Sequence, residues 1–228
     1  MKQPELYERF RALHEREGGF IMPNAWDGVS ALLLKQAGFE ALGTSSAAIA
    51  SAMGRLDGRH AVTREEHLAN AVLIGELTGL PVNGDFEDGY GTSPSDVAAT
   101  VEAAIAAGLA GIGIEDTIKR LVAFAEVGAD VLYAPYPPDM DAVRAIVKAV
   151  APKPVNLVVG TMRATVPWGE LQKAGVKRVS LGVALYTRVM GDLRKAARQL
   201  ADGDLASASA GIGFGEIKKM IAEVVKEV

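Results

Sequence analysis

Residues 79–94 read Gly79-Leu80-Pro81-Val82-Asn83-Gly84-Asp85-Phe86-Glu87-Asp88-Gly89-Tyr90-Gly91-Thr92-Ser93-Pro94, and this one stretch contains the unit from which the fold is built. Gly79 follows an amphipathic run, and glycine just past a helix end supplies the left-handed conformation that closes it. Val82 to Phe86 is a short apolar run bounded by turn residues, which reads as a strand. Ser93 then places a cap ahead of a proline at the first helical position. Helix end, strand, acidic loop and helix start therefore follow one another directly.

Working outward, the same join recurs at Gly38, Gly108, Gly128 and Gly175, with Pro152 to Pro154 punctuating one more, and Thr63 with Glu66 forms a further capping box. The predicted strands are Phe20 to Pro23, Ala41 to Thr44, Val82 to Phe86, Gly111 to Glu115, Val131 to Ala134, Val155 to Val159 and Arg178 to Leu181. Helices are expected near 28–37, 63–78, 94–107, 118–127, 139–150 and 167–174, and the charged segment from Met1 to Glu17 is helical in pattern. Strict alternation implies a parallel sheet with right-handed crossovers. The fold class is α/β, a TIM-type (β/α) barrel over residues 1–205, with a flexible join and a C-terminal helix over 206–228. Closure as a barrel accounts for Asn24, Asp27, Ser45, Ser46, Asp85, Glu87 and Glu115 all falling at C-terminal strand ends, with Asn156 inside its strand. An open doubly wound sheet is the alternative, but its glycine-rich phosphate turn is replaced here by Pro23-Asn24-Ala25-Trp26-Asp27.

Only seven strands are expected where such a barrel has eight. The step from Gly108 to Gly128 must hold a strand and a helix with no room for a loop after Glu115. One helix-strand unit is missing from the pattern.

Composition narrows the function. A net charge of -4 with both signs interleaved lacks the basic stripe of a nucleic-acid surface, so a small-molecule partner is expected. Without cysteine there is no disulfide, thiolate metal site or thiol nucleophile. No signal core and no 18-residue apolar run occurs, so a cytoplasmic protein without a membrane partner is expected.

Asp85 and Glu87 alternate onto one face if the strand continues through them. Two carboxylates about 6 Å apart at an effective dielectric near 20 repel by roughly 2–3 kcal/mol, so a cation belongs between them. Glu115, in Ile112-Gly113-Ile114-Glu115-Asp116, ends the next apolar run in the same way. Oxygen ligands from several strand ends suit Mg2+, and Asp85, Glu87 and Glu115 are the proposed metal group. The competing reading is of solvated loop acids or helix caps.

These motifs, with Met22-Pro23-Asn24-Ala25-Trp26-Asp27, Gly43-Thr44-Ser45-Ser46, Leu56-Asp57-Gly58-Arg59 and Gly128-Ala129-Asp130-Val131-Leu132-Tyr133, resemble the phosphoenolpyruvate mutase/isocitrate lyase superfamily, in particular its short oxaloacetate decarboxylase and phosphonopyruvate hydrolase-like branches. The resemblance implies a Mg2+-dependent barrel that makes or breaks a C–C or P–C bond beside the carbonyl of a small 2-oxo acid. It implies that Asp85, Glu87 and Glu115 hold the metal, that Asp57 is the catalytic residue near metal and substrate, and that Ser45, Ser46 and Asp85 meet the substrate. Trp26 is either a pocket wall or a core residue. Two departures stand out: the lyase branches carry a cysteine loop after the fourth strand that is absent here, and the missing unit is the one whose Asn-Ala-Arg-type motif supplies a substrate-binding arginine. Arg163 is the candidate replacement, or an ordinary exposed arginine.

The segment Thr44 to Val62 exceeds the usual strand-to-helix connection and reads as an active-site lid or a mobile surface loop. His14, His60 and His67 are too scattered for a metal cluster; His67 is expected on the surface and His60 near the site. The tail places Ile217, Met220, Ile221, Val224 and Val225 on one helical face, and an apolar face beyond a flexible join needs a partner surface, so a homo-oligomer, dimer or tetramer, is expected, the helix packing on a neighbouring subunit. Two other functions compete: a barrel that has lost turnover, by decay or engineered removal of the unit, and a sugar-phosphate enzyme, for which Gly160 and Gly182 stand without the surrounding motif.

Overall fold

The computed structural model describes residues 3–91, 93–113, 125–126, 128–135, 137–159 and 166–225. A first helix, α1 (Gln3–Glu15), leads into β1 (Phe20–Met22) and β2 (Asn24–Ala25). The expected strand Phe20 to Pro23 corresponds to β1; past Pro23, which has no N–H to give to a ladder, pairing resumes in the short β2, read from the sequence as a turn. The order continues α2 (Gly28–Gln36), β3 (Leu42–Thr44), α3 (Ser46–Ala52), α4 (Arg64–Thr78), β4 (Val82–Asp85), α5 (Pro94–Ala106), β5 (Gly111–Gly113), β6 (Leu132–Ala134), α6 (Met140–Val150), β7 (Val155–Val158), α7 (Trp168–Lys173), β8 (Arg178–Ser180), α8 (Ala184–Ala201), α9 (Leu205–Ala208) and α10 (Phe214–Val225).

Every pairing is parallel. One sheet runs β1-β8-β7-β6 and the other β2-β3-β4-β5. Because β1 and β2 are consecutive, the two sheets form one curved wall running from β5 round to β6. Among the described residues β5 pairs only with β4, and β6 only with β7. Among the described residues the parallel wall is thus unpaired between β5 and β6, the place where the sequence pattern lacks a helix-strand unit.

Asn24 joins the two sheets. Its Nδ2 donates to the Thr44 carbonyl at 2.6 Å, and its Oδ1 accepts from the amides of Leu181 and Gly182 at 2.9 and 3.0 Å. The core is divided between the barrel's two halves. Leu132, Leu157, Val179, Val143 and Leu171 pack under α6 and α7, and Leu42, Val82, Ala71, Ile74 and Phe86 pack under α2 and α4. Phe10 and Leu13 of α1 pack with Phe20, Met22 and Ala110, which covers the N-terminal end of the strands.

The local signals act as expected. Thr63 and Glu66 form a reciprocal capping box, Ser93 caps α5, and Gly38, Gly79, Gly108, Gly128 and Gly175 all have positive φ. Three helices were not expected, among them the short α9 at the start of the anticipated flexible join. Ser46–Ala52 occupies the front of the anticipated Thr44–Val62 loop, begun by Ser45 accepting from the Ala48 amide; its Ala- and Ser-rich run carries too weak a periodicity to read. Ala184–Ala201 has a strong apolar stripe yet buries none of its residues. The expected helix 118–127, and Glu115, Gly160 and Arg163, fall outside the described residues or largely so. The C-terminal helix lies against α2 of its own chain with Met220 buried, while Phe214 and Ile221 are exposed. No described helix is long and apolar enough to cross a membrane.

Candidate active site

The site is assembled where β3 and β4 end. Gly84 lies before the acids because a Cβ there would collide with the Phe86 ring. The strand stops at Asp85, whose amide donates to Thr44 Oγ1 at 2.8 Å. From here the alternation expected for Asp85 and Glu87 fails: Glu87 takes φ +49°, so the two acids are not placed by strand pleating. The turn sends Phe86 into the core and the Glu87 carboxylate to a different set of neighbours.

Asp85 Oδ2 accepts from the Ser46 amide at 2.9 Å and from the Ser46 hydroxyl at 3.0 Å. Ser46 is thus committed to orienting the acid, and the buried Ser45 hydroxyl to capping α3. Glu87 is 8% exposed, and its Oε2 accepts from the His60 amide at 3.3 Å while Oε1 has no partner. Burial raises this carboxyl above its usual range; the His60 amide opposes that, and Asp57 and Asp88 add to it. His67, expected on the surface, is 1% exposed, with Nε2 lying 3.8 Å from Glu87 Oε1 and both ring nitrogens unpartnered. Its helix turns this residue inward under Tyr90, whose ring lies 6.1 Å away, and position on a helix alone could not reveal that. Burial lowers the His67 pKa, partly offset by Asp57 and Glu66.

His60 is close to the acids, as anticipated. Its Nε2 is 2.7 Å from Asp88 Oδ1, and its ring lies 4.8 Å from that of Tyr90. The Asp88 contact raises the His60 pKa. Tyr90 donates to the Val62 carbonyl at 2.9 Å; burial first, then Glu87, Asp85 and Asp57, raise its phenol. Asp57 is exposed on the turn following α3. Trp26 is half-buried against Ile49, Ala50 and Val62, with Tyr186 edge-on at 5.4 Å. Asn156, 2% exposed, lies deeper within the barrel, bonded to Ser180 Oγ at 3.2 Å.

Backbone strain marks the same place. Among the described residues, the non-glycine residues with positive φ are His60, Glu87 and Tyr90, which touch one another. Such conformations cost of order 1–3 kcal/mol each and persist where the surroundings fix them, typically at functional sites. No three described acidic or histidine side chains by themselves form a set that could hold a metal ion. Asp85 and Glu87 nevertheless fit a hard cation: they are oxygen donors, and an orphaned buried carboxylate oxygen calls for positive charge.

The family model described as phosphoenolpyruvate phosphomutase matches residues 10–119 and 114–201, two matches that meet in the shortened step between Gly108 and Gly128. An uncharacterised protein of Mycobacterium tuberculosis is 30% identical, covering 94% of this chain and 96% of its own. That alignment runs over 259 positions against a chain of 228 residues, so the relative has segments lacking here. An oxaloacetate decarboxylase of Chromohalobacter salexigens is 32% identical, but over 51% of this chain and 40% of its own. Among solved structures, a candidate lyase/mutase from Burkholderia cenocepacia J2315 superposes with a TM-score of 0.90 at 34% identity, covering 96% of both chains. Oxaloacetate acetylhydrolase with 3,3-difluorooxalacetate superposes at 0.87 and 21% identity over 100% of this chain and 96% of its own, a likeness of fold.

Proposed function

The chain belongs to the phosphoenolpyruvate phosphomutase family, a (β/α) barrel family of lyases and mutases, and on that premise we propose that it is a Mg2+-dependent lyase or hydrolase of a small 2-oxo acid resembling oxaloacetate. The observation that carries the reading is the buried Glu87 oxygen without a hydrogen-bond partner, two residues past Asp85 at the C-terminal end of the barrel and held by a strained turn. Asp85 and Glu87, with Glu115 two positions beyond β5 in the chain, would hold the ion. It would supply Lewis-acid polarisation of the 2-oxo group and offset the charge of a forming enolate.

The chain's own groups orient and enclose. Ser46 fixes Asp85 through two hydrogen bonds, and the His60 amide fixes Glu87. Ser45 and Ser46 border the space assigned to the substrate carboxylate, and Trp26 walls it. Asp57 is the catalytic residue of this reading, and its exposure and its electrostatic reach to Glu87 support that role. In the decarboxylating version, the C–C bond to the departing carboxylate breaks, its electron pair enters the carbonyl to give the enolate, CO2 leaves, and a proton on carbon yields the product oxo acid. The named oxaloacetate enzymes among the relatives support this substrate class.

A homo-oligomer belongs to the same reading. Val189, Leu193 and Leu200 form an exposed stripe along α8, continued by the exposed Leu205 and Phe214, and an apolar surface of this extent calls for a partner. The interruption between β5 and β6 favours a second reading, a family barrel that has lost turnover.

Consumption of oxaloacetate followed by NMR, with and without Mg2+, tests the first reading against the second. Loss of substrate above the metal's own background, abolished in Asp85→Ala, is expected; a folded protein that binds Mg2+ and leaves oxaloacetate intact would establish the second.

A further inference from the structure

At the opposite, N-terminal end of the strands lies a cavity of about 940 Å³, reaching Gly111 of β5 on one side and Leu132 and Tyr133 of β6 on the other. Much of its wall is apolar, including Phe10, Val101, Ala110 and Val147. Arg178, the first residue of β8, lines it and is 4% exposed.

The surroundings of that guanidinium are unusual. Nη1 lies 3.3 Å from His14 Nε2 and 3.5 Å from Asn83 Oδ1, and Nε has no partner. The Phe10 ring centroid is 5.4 Å from Cζ. His14 Nδ1 lies 2.8 Å from the Phe10 carbonyl, so Nδ1 carries the proton and Nε2 accepts from Arg178, which makes the imidazole neutral. A neutral ring, an amide and an aromatic face surround the cation, with the Tyr133 phenol in electrostatic reach, and no described carboxylate reaches it. Glu15 and Asp130 line the cavity too, but both are exposed, as is Arg11, and half-buried Lys153 and Lys177 tilt the balance positive. A buried charge without a counter-charge costs several kcal/mol. An apolar cavity with a few convergent polar groups is the usual form of a small-molecule site.

We propose that this cavity binds a small organic carboxylate with an apolar body, its carboxylate on Arg178 and its body against Phe10, Val101 and Ala110. The planar guanidinium matches a carboxylate, and the walls match an apolar remainder. The site lies at the other end of the barrel from Asp85 and Glu87 and does not depend on the proposed reaction.

Isothermal titration of the intact chain with benzoate, its neutral isostere benzamide and inorganic phosphate tests it. Benzoate is expected to bind, benzamide not to, and Arg178→Met to weaken benzoate by at least about tenfold. Should that variant fail to fold, Val101→Trp, which narrows the cavity and leaves Arg178 in place, is expected to lose benzoate binding by a similar factor. No benzoate heat up to about 10 mM, equal binding of benzamide, or binding that survives in a folded variant overturns the proposal. So does phosphate binding without benzoate, which would make this a site for a bare oxyanion.

Discussion

Glu87 sits in a conformation few L-residues adopt, with one carboxylate oxygen on the His60 amide and the other unpartnered. Removing its charge should therefore relieve the metal-free protein while disabling it for metal. In EDTA, Glu87→Gln is expected to melt at or above the wild-type temperature. With Mg2+ at about a hundred times its Kd the wild type should gain roughly 2.7 kcal/mol and the variant far less. Thermal melts with and without Mg2+ check this, and a variant that gains equally would remove Glu87 from the metal group. His14 gives a pH signature of its own. Burial, reinforced by Arg178, holds its pKa down at about 3 against an ordinary 6.5. Between those values the unfolded chain binds the extra proton, so stability is lost as pH falls from 6.5 toward 3. The slope from this group is at most about 1.4 kcal/mol per pH unit. Denaturant titrations of His14→Gln against wild type across that range should show a flatter profile in the variant.

At the scale of elements, the barrel depends on few joins. Asn24 bridges β2, β3 and the end of β8 with three hydrogen bonds. Asn24→Ala would leave the Leu181 and Gly182 amides without that acceptor, and an unsatisfied group costs about 1–3 kcal/mol; a loss near the upper end is expected in urea unfolding. Asn24→Asp keeps the Oδ1 acceptor for both amides but buries a charge and sets an acceptor oxygen against the Thr44 carbonyl, so it should be destabilising as well. The helix boundaries were legible because caps and closing glycines are local chemistry. The missed α3 and the inward turn of His67 depend on what packs against them. The Asp85–Glu87 pair belongs to the same class: the acids were identifiable from type and spacing, but their geometry follows from a left-handed residue after the strand, which pleat alternation cannot foresee.

At the scale of the whole molecule, packing among the described residues leaves open one side each of β5 and β6 and the exposed face of α8. Hydrogen exchange should protect amides of β3 and β7, paired on both sides, more than those of β5 and β6; equal protection would mean that the interruption is closed in solution. Leu193, 60% exposed in the α8 stripe, should matter to assembly. Light scattering at micromolar concentration is expected to show an oligomer for the wild type and a smaller species for Leu193→Arg, whereas a monomeric wild type would remove the oligomer.

The amino-acid sequence by itself determined the alternation of strand and helix, the helix caps, the shortened step between Gly108 and Gly128, and the acids at the strand ends, because each is encoded in residue type over a few neighbouring positions. Tertiary structure alone decided that, among the described residues, β5 and β6 are each paired on one side only, that Ser46 and His60 orient Asp85 and Glu87, and that no described carboxylate reaches the buried Arg178. Those outcomes depend on contacts between residues far apart in the chain, up to His14 with Arg178, and such contacts exist only once the strands have curved round to bring them together.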